Sequence, residues 1–392
     1  MKAVTWQGRR KVEYVDVPDP KIEVGTDAVI KVTRTNICGS DLHLYEVLGA
    51  FMEPGDVLGH EAMGVVEEVG DEVTAIKPGD RVVIPFQMSC GHCFMCTERL
   101  YSQCETTQVR EHSSGAALFG YSKLYGEVPG GQAEYLRVPH AQFTHIPVPE
   151  GPPDERFVYL SDVLPTAWQT VTYADVKEGD SLAVFGLGPI GQMCVRVAHQ
   201  RGVSPVIGVD LVPERLALAR RYGAETIDAS HEDAVERIVE RTGGRGADAV
   251  IDAVGMEAHG APLASLAQRG AGMLPDLVAR RVYERAGIDR LSALTAAIKA
   301  VRRGGTLSIT GVYGGAVDPL PMMELFDKGV QIRMGQTHVK RWVDEIMPLL
   351  LDGDPLGTED LATHRMPLDE APRAYELFQR KEDGAVKVLL RP

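Results

Sequence analysis

From Ser181 to Asp210 the chain reads SLAVFGLGPIGQMCVRVAHQRGVSPVIGVD. A short apolar strand runs straight into Gly186-x-Gly188-x-x-Gly191. The next stretch has helical spacing, with Ile190, Cys194 and Val197 on one side, and stops at Gly202. A second strand ends on Asp210, nineteen residues beyond Gly191. A bare glycine fingerprint is weak evidence, but here strand, helix, second strand and terminal acid all stand in order. The first glycine makes the turn, the second lets a pyrophosphate approach, and the third lets helix and strand pack. Pro189 and Ile190 open the helix, whose unpaired N–H groups would face that anion. Asp210 suits the adenosine ribose hydroxyls and would repel a 2′-phosphate, so NAD is expected over NADP. Cys194 reads as a packed residue on the apolar side of the helix.

The alternation continues. PERLALARRYGA is helical, with Pro213 near its start, and GGRGADAVIDAVG is a strand ending near Asp252 and Gly255. LSALTAAIKAVRRGGTLSITGVYGG gives a helix, a turn at Gly304 and Gly305, and a strand ending at Gly311, Val312 and Tyr313. Ligands of such sheets bind beyond the carboxyl ends of the strands, which puts Val312 at the nicotinamide. The segment from Met256 to about Ile288 is longer than this step needs.

The chain has six cysteines, and four of them, Cys90, Cys93, Cys96 and Cys104, follow the spacing C-x2-C-x2-C-x7-C. Four thiolates at short spacing close a tetrahedral shell around zinc, leaving no open position for chemistry. A structural lobe over residues 88–106 is expected. An iron–sulfur cluster and four inert thiols are the alternatives, and the spacing is not the bacterial ferredoxin pattern.

Upstream, TNICGSDLHLY and PGDVLGHEAMGVVEEVG supply Cys38, Ser40, Asp41, His43, His60 and Glu61. Cysteine, histidine and carboxylate together are the mixture of open, catalytic zinc sites. Taken singly, Cys38 suits a buried apolar position, His60 a turn and Glu61 a solvated one. Taken together, and flanked by Gly39, Gly59 and Gly64, they favour a crowded site. Spacing does not pick the third ligand.

With 392 residues and a formal net charge of −14, the chain has room for two domains and no basic patch for a phosphate backbone. No nucleic-acid partner is expected. No apolar run reaches the roughly 18 residues of a spanning helix, and the N-terminus lacks a signal-peptide pattern. The expected compartment is the cytoplasm, where clustered thiols read as metal ligands rather than disulfides.

A closed four-cysteine site, an open cysteine–histidine site and a dinucleotide fold in one chain resemble the zinc-dependent medium-chain alcohol dehydrogenase family. GHEAMGVVEEVG, the four-cysteine lobe and GLGPIG with Asp210 carry the resemblance, which spans nearly the whole chain. It implies two zinc ions per chain, one catalytic and one structural, with NAD as cofactor. The catalytic zinc would be held by Cys38, His60 and a third residue after the lobe. That position is usually cysteine, but LSDVLPTAWQT offers Asp162. Aspartate there is similar to the glutathione-independent formaldehyde dehydrogenase-like branch. Glu61 would ligate transiently or tune the metal's field. Ser40 matches the hydroxyl that takes the substrate proton, and His43 the far end of a relay through the nicotinamide ribose. Thr166 would pack against the nicotinamide, and Lys387 would pair with the pyrophosphate. The branch's insertion corresponds to residues 256–288 and covers the adenine end of a retained NAD; an oligomer contact or a solvated helix is the alternative.

The expected fold class is α/β, a GroES-like β-rich catalytic domain plus a Rossmann-type doubly wound parallel sheet. The catalytic domain is expected over 1–160 and 331–392, and the cofactor domain over 161–330, with the active site in the cleft between them. The expected reaction moves a hydride between NAD and a small alcohol or aldehyde, formaldehyde dehydrogenation or dismutation being the sharper form. A broader alcohol or polyol dehydrogenase is the alternative. A zinc-free NADPH reductase is disfavoured by Cys38, His60, Asp162 and Asp210, and a non-enzymatic NAD-binding protein is a further alternative. A homotetramer is the family expectation and a homodimer the alternative. Phe51, Trp168 and Met95 are the pocket residues suggested by sequence proximity, though each also suits ordinary core.

Overall fold

Strand pairing explains how residues far apart in the chain meet. The structure is a computed structural model, described over residues 1–255, 291–313 and 320–392. The expected insertion at about 256–288 lies outside the described residues. The chain divides into two units, Met1–Pro165 with Thr337–Pro392, and Thr166–Gln336.

Strands are numbered along the chain. In the first unit, β1 (Lys2–Gly8) and β2 (Lys11–Asp16) form a two-stranded ribbon. A larger sheet contains β3 (Ala28–Ile37), β4 (Ala62–Val69), β5 (Arg81–Ile84), β6 (Tyr135–Val138) and β7 (Ile146–Pro147). β14 (His364–Pro367) and β15 (Val388–Arg391) complete it in the order β14-β15-β3-β4-β5-β7, with β6 also on β3. β3 is the organiser: Ala28, Ile30 and Val32 alternate into a core with Val66, Val82, Ile84, Phe119 and Leu136, while Lys31 faces out.

Three pairings aim the functional segments. β3 runs antiparallel to β4 with Thr35 opposite Ala62, and Asn36 N–H donates to Glu61 O at 3.1 Å. Cys38, just past β3, therefore lies beside His60 and Glu61, just before β4. β15 pairs with β3 through Val388 and Ile37, so the last strand delivers Lys387 to the same place. Past β5, Phe86 N–H donates to Ser161 O at 3.0 Å, which fixes the segment carrying Asp162.

The second unit holds a six-stranded parallel sheet of β8 (Leu182–Phe185), β9 (Val206–Asp210), β10 (Glu225–Asp228), β11 (Ala247–Asp252), β12 (Val301–Ile309) and β13 (Gln331–Met334). Its order is β10-β9-β8-β11-β12-β13, so the topology reverses between β8 and β11. Helices Pro189–Gln200, Pro213–Arg221, Ala234–Arg241 and Ser292–Ala300 are among those connecting the strands. Ala183, Phe185, Ile207, Val209, Val250 and Leu307 share its core, the apolar reading of strands covered on both faces. The expected turn at Gly304 and Gly305 lies inside β12, where the register against β11 jumps and Gly304 takes φ +67°. The sheet absorbs it as a bulge.

Candidate active site

The four lobe cysteines place their sulfurs within 4.8 Å of one another. Cys90 Sγ and Cys96 Sγ are 4.0 Å apart, and Cys93 Sγ and Cys104 Sγ 3.9 Å. Zinc–sulfur bonds of about 2.3 Å in a tetrahedron set sulfur–sulfur edges near about 3.8 Å. Backbone N–H groups already point at the thiolate positions, Cys90 N at Cys104 Sγ (3.4 Å) and Cys93 N at Cys90 Sγ (3.3 Å). The residues fit a structural zinc.

The second cluster joins Cys38, His60, Glu61 and Asp162, all buried, with donor atoms within 4.8 Å of one another. Asp162 Oδ2 is 3.5 Å from Cys38 Sγ and 3.4 Å from His60 Nε2. Ser40 Oγ, in helix Gly39–Glu46, is 3.2 Å from the same Nε2. His43 is buried on that helix. Burial first, then the Glu61 and Asp162 charges, push the Cys38 thiol up to about 11. Burial pulls the His60 imidazole down, but Asp41 and Asp162 outweigh it and hold it well above the usual histidine value. A buried group of acids and a thiol facing one imidazole calls for a cation. A divalent metal would take the proton's place on both Cys38 and His60. The donor set fits zinc with an open position.

Three relationships here were not assigned from sequence, where Asp41 appeared only as one of the polar residues near Cys38. Asp41 Oδ1 sits 3.1 Å from His60 Nδ1, the carboxylate–histidine pairing that orients a ligand ring. Asp41 Oδ2 accepts from Cys38 N–H at 2.9 Å and from Gln132 Nε2 at 3.3 Å, and Gln132 Oε1 accepts from Tyr375 Oη at 2.8 Å. Asp41 follows Cys38 by three residues at a helix start, the capping-box position, which was the one available signal. Phe86 and Tyr121 meet the His60 ring edge-on, each at 6.3 Å between centroids. Neither lies among the residues suggested by sequence proximity.

Lys387 requires correction. It is fully buried, and its Nζ donates to Glu61 Oε1 at 2.6 Å. Burial opposes its charge, but Glu61 and then Cys38 outweigh burial and raise it above the usual lysine value. The strand pairing that carries Lys387 to Cys38 commits its ammonium to Glu61 rather than to a pyrophosphate. Asn36 Nδ2 donates to the other Glu61 oxygen at 2.9 Å.

In the second unit Gly186 takes φ +85°, and a Cβ on Gly191 would lie 1.8 Å from Gly186 O. Gly188 caps helix Pro189–Gln200, with Pro189 in its first turn and Ile190 following. Asp210 Oδ2 accepts from Leu187 N–H at 2.7 Å, tying the glycine loop to β9. Its Oδ1 accepts from Leu211 and Val212 N–H, and Arg215 Nη1 stands 3.8 Å from Oδ2. Val312 follows β12 and is 51% exposed. Thr166 is buried in helix Val163–Ala174. The loop and sheet fit NAD.

Residues 25–149 match the alcohol dehydrogenase GroES-like domain, and residues 189–274 the zinc-binding dehydrogenase domain. The uncharacterized zinc-type alcohol dehydrogenase-like protein AdhB of Bacillus subtilis is 43% identical, covering 100% of both chains. The chain belongs to the zinc-type medium-chain alcohol dehydrogenase family. The glutathione-independent formaldehyde dehydrogenase of Pseudomonas aeruginosa is 34% identical over 96% of this chain and 94% of its own. Among solved structures, alcohol dehydrogenase TADH from Thermus sp. ATN1 is 35% identical over 100% of this chain and 99% of its own, with TM-score 0.83. This dehydrogenase is therefore a zinc- and NAD-dependent enzyme acting on a small alcohol or aldehyde. Among its described residues no helix is long and apolar enough to cross a membrane.

Proposed function

We propose that this dehydrogenase acts on formaldehyde or a comparably small aldehyde or alcohol, as a dehydrogenase or dismutase that retains NAD. The observation that carries this reading is Asp162, a carboxylate in the donor set, with Phe86 and Tyr121 each edge-on to the His60 ring. Likeness to the formaldehyde dehydrogenase supports it. Zinc supplies the positive charge that acidifies a substrate hydroxyl, and NAD the carbon that accepts hydride. Cys38, His60 and Asp162 would hold the metal, and Asp41, 3.1 Å from His60 Nδ1, would orient that ring. Ser40, 3.2 Å from His60 Nε2, takes the substrate proton, and His43 ends the relay to water. When NAD is bound, the glycine loop would cradle the pyrophosphate, Asp210 would accept from the adenosine ribose, and Thr166 and Val312 would bound the nicotinamide.

Dismutation converts two formaldehyde molecules and one water into methanol and formic acid, with no net oxidant. The test follows formaldehyde by proton NMR with enzyme as purified and no added cofactor. Equal methanol and formate, well beyond the enzyme concentration, is the expected result. A dependence on added NAD instead favours a broader alcohol or polyol dehydrogenase with exchangeable cofactor, the reading that the alcohol dehydrogenase relatives support.

We further propose a homotetramer, with a homodimer as the alternative. Ile332 and Met334 on β13, an edge strand, are exposed, as are Met322, Met323 and Phe326 nearby in sequence. Light scattering across a dilution series tests this.

A further inference from the structure

We propose that Asp252 and Tyr313 form a positioning pair that fixes the Val312 backbone for the nicotinamide half of NAD. The proposal rests on the NAD reading above. Asp252 ends β11 and is a fully buried acid, an expensive placement unless its oxygens are satisfied. They are: Tyr313 Oη donates to Oδ2 at 2.5 Å, and Val254 N–H donates to Oδ1 at 3.0 Å. The Asp252 carbonyl also accepts from Thr310 N–H at 3.0 Å and Gly311 N–H at 2.9 Å. One residue thus holds both the segment leaving β11 and the segment leaving β12.

Those segments lie against each other with no room for side chains between. A Cβ on Gly311 would stand 2.3 Å from Gly255 N, and one on Gly255 would stand 2.5 Å from Val312 N. The β11 segment also reaches the glycine loop. Ala253 N–H donates to Phe185 O at 2.9 Å, and a Cβ on Gly186 would meet Val254 Cγ2 at 2.8 Å. Backbone contact therefore sets the spacing from the glycine loop to Val312, and the Tyr313 hydroxyl closes the far end. Burial raises the Asp252 carboxyl above its ordinary value while the Tyr313 bond works to lower it, as expected of a pair matched to each other. Val312 sits immediately before Tyr313, exposed at the carboxyl ends of the strands, where a ligand of this sheet binds.

Tyr313→Phe keeps the ring, which packs against the core of the sheet, and removes only the bond to Asp252. Calorimetry on zinc-loaded, nucleotide-stripped enzyme would compare NAD+ with ADP-ribose, which lacks the nicotinamide. NAD+ affinity is expected to fall about tenfold, the scale of one hydrogen bond, with ADP-ribose affinity held within about twofold. Asp252→Asn should give the same split, and its melting curve identifies a folding failure in either variant. An equal loss for both ligands means a merely structural pair and overturns the proposal, as does no loss for either. If the unmodified enzyme binds neither nucleotide, the NAD reading itself fails, and the proposal with it.

Discussion

Glu61 Oε1 and Lys387 Nζ meet at 2.6 Å with neither side chain exposed, across 326 residues of sequence. Asn36 holds the second Glu61 oxygen. Glu61 therefore stands within reach of the metal cluster with both oxygens already engaged. Lys387 also feels the Cys38 and Asp162 charges, but its direct ion pair is with Glu61.

Breaking that pair leaves an uncompensated buried charge. Lys387→Met is expected to cost about 3–5 kcal/mol of stability, and adding Glu61→Gln to recover much of it. Urea denaturation of the two single variants and the double variant measures the coupling. Equal losses in single and double variants would contradict it.

Cys38→Ser removes one donor from the open cluster and leaves the lobe cysteines intact. Bound zinc should fall from two ions per chain towards one, counted by atomic emission. kcat/KM should fall at least about a thousandfold, consistent with losing several kcal/mol of transition-state stabilisation. The melting temperature should hold, because the closed four-cysteine site carries the structural burden. A variant that keeps both zinc ions and full turnover would dismiss Cys38 as a ligand.

Gly191→Ala places a methyl group where Gly186 O already lies, 1.8 Å away. The helix must shift off β8, opening the loop. NAD binding should weaken at least about a hundredfold, while zinc content stays unchanged. Fluorescence titration with NADH, alongside metal analysis, checks both.

His338 gives the chain an acid sensitivity. Its Nδ1 receives Ser102 N–H at 3.2 Å, so that nitrogen carries no proton. Burial and then Arg341 push the imidazole down to about 4. Above about pH 6.5 the ring is neutral folded or unfolded and adds no pH dependence. Between there and pH 4 the unfolded chain binds a proton that the folded chain does not, so stability falls as pH falls. The loss reaches at most about 3 kcal/mol. His338→Gln keeps an acceptor for Ser102 and should flatten this part of the profile. Urea midpoints at pH 7 and pH 5 for both proteins give the comparison; parallel slopes would remove His338 as the cause.

The glycine loop with Asp210, and the four-cysteine lobe, could be read from the sequence because each is made by residues close together in the chain. Turn, strand and helix spacing follow from local backbone geometry, and so does the chemistry that rests on them. Asp162 was a local candidate whose meeting with Cys38 and His60 needed the family resemblance. Lys387 was misplaced because nothing near it in sequence names Glu61. Phe86, Tyr121, Gln132 and Tyr375 carried no local signal at all.

The sequence by itself determined the kinds of site this chain holds: a closed thiolate cluster, a dinucleotide loop, and scattered donors for an open metal centre. Tertiary structure decided which donors meet. β3 pairs with β4 and with β15, and this pairing sets Cys38 beside His60, Glu61 and Lys387. Long-range strand register depends on how two faces pack in a shared core, and no short window of sequence contains both partners.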